Sequence, residues 1–444
     1  MMRILMLAQF YPPIFGGEER HVKNLSAHLA ARGHAVSVAT ILHKGMQSFE
    51  MDGDVRVHRI RSTMQRAKFL FSEEVRFHAP SFPDPELTSA LEDIIKQEQP
   101  DVIHAHNWLI YSFLPLKPHA NAKLVLTVHD HSLICPKKKL IYGDAHCTGP
   151  GPIKCIGCAG EHYGLAKGAP VLLTNKVMQA WERKSVDMFV PVSTAVGEDN
   201  RLMNAGLPVT GLPVRVIPNF VPDTVGQIKP EPHPKTAELP QGDFILFVGA
   251  FGRYKGVDVL VEAHKKLKNA PPLVIIGYKT QEYPVQTENF PANVIVLQDW
   301  PHDAVMQAWA RCQFGVVPSV WSDPCPTTAM EGMACGKAII ASRMGGLTDI
   351  VAHADTGLLV PPSDADALAA AMQKLVDDPT LRTRMGAMGK RKVVEFQAST
   401  VVSQIEALYG ELVCGKSHMK STMSHVVACV AHSPSNEHAT QSSA

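Results

Sequence analysis

One alternation, written twice along the chain, constrains the fold more than any other feature. A short continuous apolar run, a glycine-containing loop and an amphipathic helical stretch recur in that order from Arg3 and again from Asp243. Apolar runs of strand length without polar alternation read as strands buried on both faces. A helix between two such strands supplies the right-handed crossover of a parallel sheet. In the first half, Arg3 to Ala8 is the run and Gly16-Gly17 the loop. Glu18 to Arg32 then carries Val22, Leu25 and Leu29 at helical spacing and stops at Gly33. In the second half, Asp243 to Val248 leads into Gly249-Ala250-Phe251-Gly252-Arg253-Tyr254-Lys255-Gly256, and a helix is predicted over 257–267. The pattern predicts an α/β protein of two doubly wound, Rossmann-like domains.

A chain of 444 residues is too long for one ordinary core. The proline- and charge-rich stretch 222–242 reads as a linker, which gives a first domain over 1–221 and a second over 243–394. A last helix over 395–414 follows. The tail 415–444, rich in Ser and His and without periodicity, is expected to be disordered. Lys and Arg number 43 against 42 Asp and Glu, so no excess charge favours nucleic acid or a polybasic membrane patch, and phosphate recognition must be local. No run approaches the roughly 18 apolar residues of a membrane span, which leaves peripheral contact at the inner membrane face open. The opening MMRILMLAQF reads as a buried strand rather than an export signal. Nine cysteines, an odd number, then point to reduced thiols and the cytoplasm.

The stretch from Val317 to Val351 concentrates the chemistry. It reads as strand end, loop, short helix, strand and glycine loop, with Asp323 and Glu331 bracketing Pro324-Cys325-Pro326-Thr327-Thr328. A helix starting near Thr327 would offer free amides and a partial positive charge to phosphate, while the two acids hold hydroxyls. Arg253 and Lys255, in a loop at a strand end, are placed to neutralise a diphosphate. In the first half His104, His106, Asn107, His129, Asp130 and His131 fall at the carboxyl ends of predicted strands, where ligands bind in parallel sheets. His129 is the preferred contact for a sugar. Gly16 and Gly17 would allow close backbone approach. Between Ser132 and Gly164, the cysteines Cys135, Cys147, Cys155 and Cys158 include one two-residue gap of the zinc-knuckle type; a structural zinc and an ordered loop of reduced thiols are both open.

Taken together, the paired halves, the Gly16-Gly17 loop, GRYKG after the first strand of the second half, Asp323 and Glu331 eight positions apart, and Gly345-Gly346 before Asp349 resemble the retaining glycosyltransferases of family 4, of GT-B fold. The resemblance runs to about residue 412. It implies two domains facing a central cleft and a hexosyltransferase that moves a sugar from a nucleoside diphosphate donor to a hydroxyl acceptor, a glycan or lipid-linked sugar. It implies that Glu331 binds ribose and Asp323 the sugar hydroxyls. Backbone amides at Cys325, Thr327 and Thr328 and the cations Lys255 and Arg253 would hold the diphosphate, and His129 would approach the donor sugar. The acceptor enters near Gly16 and Gly17, no cofactor is required for catalysis, and the last helix returns to the first domain. The chain departs from the family pattern in having Asp rather than Glu at position 323, Ala250 in place of an early Arg, and Pro326 where glycine is common. Two other readings remain, a sugar-nucleotide epimerase of the same fold and a catalytically silent nucleotide-sugar-binding protein.

Overall fold

Seven strands form the first sheet: β1 (Arg3–Leu7), β2 (Ala35–Ile41), β3 (Phe49–Asp52), β4 (Val55–Ile60), β5 (Val102–Ala105), β6 (Lys123–Val128) and β7 (Met188–Pro191), in the order β3-β4-β2-β1-β5-β6-β7. Six form the second: β8 (Ile245–Phe251), β9 (Leu273–Lys279), β10 (Val294–Gln298), β11 (Phe314–Val317), β12 (Ile339–Ser342) and β13 (Gly357–Val360), in the order β10-β9-β8-β11-β12-β13. Every pairing is parallel except the β3–β4 hairpin. The structure is a computed structural model that describes all residues except 15, 67–76, 144, 230, 281–282 and 416–444. The expected disorder of the tail falls almost wholly on 416–444, outside the described residues.

The strands are buried as their unbroken apolar runs require. β1 has Ile4, Leu5, Met6 and Leu7 all at 1% exposure or less, with Leu5 and Leu7 facing one core and Ile4 and Met6 the other. The helices that matter for the site are α1 (Gly17–Ala31), α2 (Pro152–Tyr163), α3 (Leu165–Ser185), α4 (Val257–Lys265), α5 (His302–Arg311), α6 (Thr327–Ala334) and α7 (Ala398–Cys414). In both halves the order strand, loop, helix puts the loop at the carboxyl end of the central strand.

The chain crosses back after the second domain. Val221 and Ala398 exchange backbone hydrogen bonds with Phe396 and Val221, at 3.0 Å each, so α7 leaves from beside the start of the linker. Its Val401, Val402, Ile405, Leu408 and Tyr409 then share one core with Val22, Leu25 and Leu29 of α1. Arg32 and His34 hold Glu406 at 2.7 and 2.9 Å, and the Tyr409 hydroxyl lies 2.6 Å from His104 Nδ1 with both residues fully buried. Tyr409→Phe leaves that imidazole nitrogen unpartnered. It is expected to lower unfolding free energy by about 1–2 kcal/mol in a urea titration, and no change would mean that the hydroxyl is replaceable.

The hairpin of β3 and β4 was not marked by the alternation, because FEMD alternates exposure rather than running apolar. The segment 132–164 is more regular than a loop. It contains a short hairpin, Ile141–Tyr142 with Ala145–His146, and all of α2, whose first helical residue is Pro152.

Candidate active site

The second-domain wall is built on the loop after β8. Arg253 to Lys255 form one 3₁₀ turn, and Gly256 follows at φ 73°. A Cβ there would sit 2.0 Å from the Pro318 carbonyl oxygen, so the glycine lets the turn lie against the end of β11. That contact delivers Lys255 Nζ to 2.6 Å from Asp323 Oδ2, which also accepts from Ser319 Oγ at 3.0 Å. Burial alone would lower the Lys255 pKa, but the Asp323 carboxylate outweighs it and holds the ammonium above its usual range. Asp323 is therefore the buried partner of a partly buried ion pair, with Oδ2 already engaged.

Gly345 clamps the same acid. Its φ is 59°, and a Cβ would lie 2.5 Å from the Asp323 carbonyl oxygen and 2.6 Å from its nitrogen, while Gly346 N donates to that oxygen at 2.8 Å. α6 begins directly after Pro326 with no side-chain cap, so its first amides have no partner within the helix and its positive end is uncovered by a capping side chain. One turn on, Glu331 Oε1 meets His302 Nε2 of α5 at 2.9 Å. Hydrogen bonding to Glu331 raises the His302 pKa against the opposing effect of burial.

The first-domain wall is a histidine array. His104 and His106 come from the end of β5, His129 follows β6, and His21 reaches in from α1. His106 Nδ1 and His129 Nε2 are 3.0 Å apart, and the His21 ring lies 5.0 Å from that of His129. Burial pushes His21 down to about 4 and His104 to about 3, and it holds His106 and His129 well below the usual imidazole range, with the neighbouring rings adding to the shift. All four are neutral near pH 7. Gly16 is extended, at φ −160°, and Gly17 has open space where a side chain would begin, so neither glycine answers to backbone strain. Beside them, Asn107 donates to Glu18, whose carboxyl is pushed up to about 8 by burial and by Glu19.

These shifts set an expected pH profile. Depressed imidazoles bind fewer protons in the folded chain than in the unfolded one, so stability falls as pH drops below about 6.5. Glu18 and Glu182, both raised to about 8 by burial, bind more protons when folded, so stability falls as pH climbs from about 4.5 to 8. Four histidines outweigh two acids on the acid side, and above it the two acids lead, opposed from about pH 8 by Lys139, whose pKa burial lowers to about 8. Urea midpoints are expected to peak near pH 6.5, each uncompensated proton contributing about 1.4 kcal/mol per pH unit; a midpoint still rising at pH 8 would contradict these shifts.

The cysteine-bearing segment connects the two walls. Cys135, Cys147, Cys155 and Cys158 line one pocket, but no three of their sulfurs reach within 4.8 Å of one another, so a tetrahedral zinc there requires the segment to close further. Two of the three lysines between Cys135 and Leu140 reach the second domain, while Lys138 stands over Trp108 of the first. Lys137 Nζ donates to Tyr283 Oη at 3.2 Å, and Lys139 Nζ stands 5.1 Å above the Tyr254 ring. Burial, with Lys255 and Lys137 nearby, lowers the Lys139 pKa to about 8. His131 Nε2 to the Ser322 carbonyl at 3.0 Å, Ser322 Oγ to Asp199 at 2.5 Å and Thr194 N to Asp349 at 2.7 Å also join the domains.

The structure thus brings Lys255 to Asp323 and surrounds His129 with other histidines. Cys325 is buried, and Thr327 and Thr328 open α6. Arg253 is exposed and borders a pocket with Ile141, Ala145 and Tyr283, apart from the ion pair. Sequence reasoning missed His302, although it begins a helix just after a strand end, and Lys139, for which a run of three lysines was the available signal.

Two doubly wound domains joined by a linker, with strand-end loops facing each other, define the GT-B architecture of glycosyltransferases. The description "Glycosyltransferase Family 4" matches residues 15–225 and "Glycosyl transferases group 1" matches 229–392. The chain belongs to the family 4, group 1 glycosyltransferases and is a glycosyltransferase. Glycogen synthase of Mycobacterium tuberculosis is 26% identical over 433 residues, covering 92% of this chain and 94% of its own. Among solved structures, sucrose-phosphate synthase of Thermosynechococcus elongatus superposes with a TM-score of 0.72 at 22% identity, covering 93% of this chain and all of its own. Anabaena HepE in complex with UDP-glucose does so with a TM-score of 0.62 at 16% identity, again covering 93% and 100%. No described helix is long and apolar enough to cross a membrane.

Proposed function

We propose that the cleft transfers a hexosyl group from a nucleoside diphosphate sugar to a glycan or lipid-linked hydroxyl acceptor in polysaccharide or glycolipid assembly, with retention of anomeric configuration. The observation that carries this reading is the Lys255–Asp323 pair at 2.6 Å, which holds a charged ammonium from the loop after β8 against an acid that lies just before the opening of α6 in the sequence. Lys255 and the first amides of α6 would meet the diphosphate, Glu331 the ribose, and His129 the sugar from the opposite wall. The HepE complex with UDP-glucose and the glycogen synthase relative support a nucleotide-sugar donor and a glycan product.

In the step itself the bond from C1 to the phosphate oxygen breaks and the acceptor oxygen bonds to C1 on the same face. The acceptor proton passes to the departing phosphate, so no protein base is needed. Preorganised positive charge lowers the barrier by stabilising the leaving group, while Asp323 and Glu331 orient the donor. Incubation with a panel of donors and acceptors, followed by proton NMR of the new anomeric signal, tests this. The α-configured product is expected from an α-linked donor. Inversion would overturn the mechanism, and an isomerised donor formed without acceptor would identify an epimerase instead.

A further inference from the structure

We propose that His21, His106 and His129 form a binding site for one borderline divalent cation, zinc being the best match, in the first-domain wall of the cleft. One ligand atom from each ring lies within 4.8 Å of the other two, a spacing that no other group of three or more His, Cys, Asp or Glu reaches among the described residues. The three rings come from separate elements, α1 and the ends of β5 and β6, and meet at the carboxyl edge of the sheet. Imidazoles bound to tetrahedral zinc at about 2.0–2.1 Å place their nitrogens roughly 3.3–3.4 Å from one another. The His106–His129 separation of 3.0 Å needs to open only slightly, and His21 to move inward.

His21 supplies the second, independent observation. It is only 7% exposed, yet neither ring nitrogen has a hydrogen-bond partner. Packing against Phe220, 5.0 Å away, accounts for burying the ring but leaves both nitrogens unsatisfied, which native interiors rarely tolerate without a ligand. His106 Nε2 is unpartnered as well. His104, the fourth ring of the array, is not available as a ligand, because its two nitrogens are engaged by Tyr409 and Thr127. Neutral imidazoles prefer zinc and its borderline neighbours over magnesium or calcium, and three of them leave a coordination position for water.

An ion held there takes a lone pair of His129. Zinc is therefore expected to inhibit transfer, a consequence that rests on the role given to His129 above, whereas the binding itself does not.

The test uses the full chain without an affinity tag, stripped with chelator and then loaded with Zn²⁺ or Co²⁺, alongside His21→Gln and His21→Phe, the second chosen to keep the packing on Phe220. Metal analysis after gel filtration is expected to find one more zinc per chain in the wild type than in either variant. The cobalt form of the wild type is expected to show, over that of either variant, the added visible absorption of one four-coordinate ion. Contributions from the cysteines and from the tail histidines cancel in the difference. Loss of a ligand is expected to weaken this site in calorimetry by more than the roughly 10–100-fold that loss of an outer contact to a ligand costs. Equal stoichiometry and equal cobalt spectra in the wild type and in variants that retain native circular dichroism would overturn the site. A one-ion difference without inhibition of transfer would uphold the site and count instead against the role of His129.

Discussion

Lys255→Ala is expected to lower kcat/KM for sugar transfer by about 10²–10³, the range seen when one preorganised group facing developing charge is removed. The effect should fall on kcat as well as on donor affinity, because the leaving diphosphate carries more charge in the transition state than in the bound donor. The substitution also strands a buried carboxylate. Asp323 has a side-chain exposure of 6%, and its remaining partner at Oδ2 is the Ser319 hydroxyl. Breaking such a pair from one side costs about 3–5 kcal/mol of stability, against much less when both charges go. The double variant Lys255→Ala, Asp323→Asn should therefore recover most of the stability while remaining slow in catalysis. If the single variant keeps near-native kcat/KM with a donor that the wild type uses, Lys255 does not face the leaving group.

Gly345→Ala should be nearly as damaging from a position that carries no functional group. Left-handed backbone costs a non-glycine residue about 1–3 kcal/mol. The added Cβ would also meet the backbone of Asp323 at 2.5 and 2.6 Å, with main-chain atoms rather than a flexible side-chain end in the way. The combined loss is expected to be about 2–5 kcal/mol in a denaturant titration. Asp323 must shift, and Lys255 with it, so donor turnover should fall by about 10², the penalty of a displacement near 1 Å at a positioned group. Gly242→Ala is the control, since nothing lies within 4 Å of a Cβ there. Equal behaviour of the two variants would show that the glycine loop does not hold the acid in place.

Much of this was legible in the sequence because it is local. Unbroken apolar runs such as Arg3 to Leu7 and Ile245 to Phe251 report burial directly, and the glycine loops follow them within a few residues. Asp323, Glu331 and Gly345 lie in one short stretch, so a single reading frame contains them. What stayed hidden depends on distant parts of the chain meeting. His302 reaches Glu331 across 29 positions, Lys139 nears Lys255 only because the cysteine-bearing segment folds over the second domain, and Tyr409 finds His104 across 305. Arg253 shows the converse. Adjacency to Lys255 in a loop suggested a shared role, yet one 3₁₀ turn sends the two side chains to different surroundings, Lys255 to the ion pair and Arg253 to an exposed pocket rim. Asp323 changed its meaning too. One methylene shorter than the family's usual glutamate, it appears in the structure as the partner of Lys255, so the cation and the acid must be judged as one unit.

The cleft is bridged as it stands. His131 to Ser322, Ser322 to Asp199 and Thr194 to Asp349 are three hydrogen bonds from the first domain to the loop and helices beside Asp323. Any opening for donor entry breaks them, so substitutions that remove them should change donor on-rates before they change the chemistry.

The most direct test is thermal unfolding of the wild type and Glu331→Ala against a panel of nucleoside diphosphate sugars. One donor is expected to raise the stability of the wild type, by about 2.7 kcal/mol at 100 times its dissociation constant, and to leave Glu331→Ala almost unshifted at the same concentration. A panel that shifts neither protein, or a donor that stabilises both equally, would contradict the placement of a nucleotide-sugar against α6.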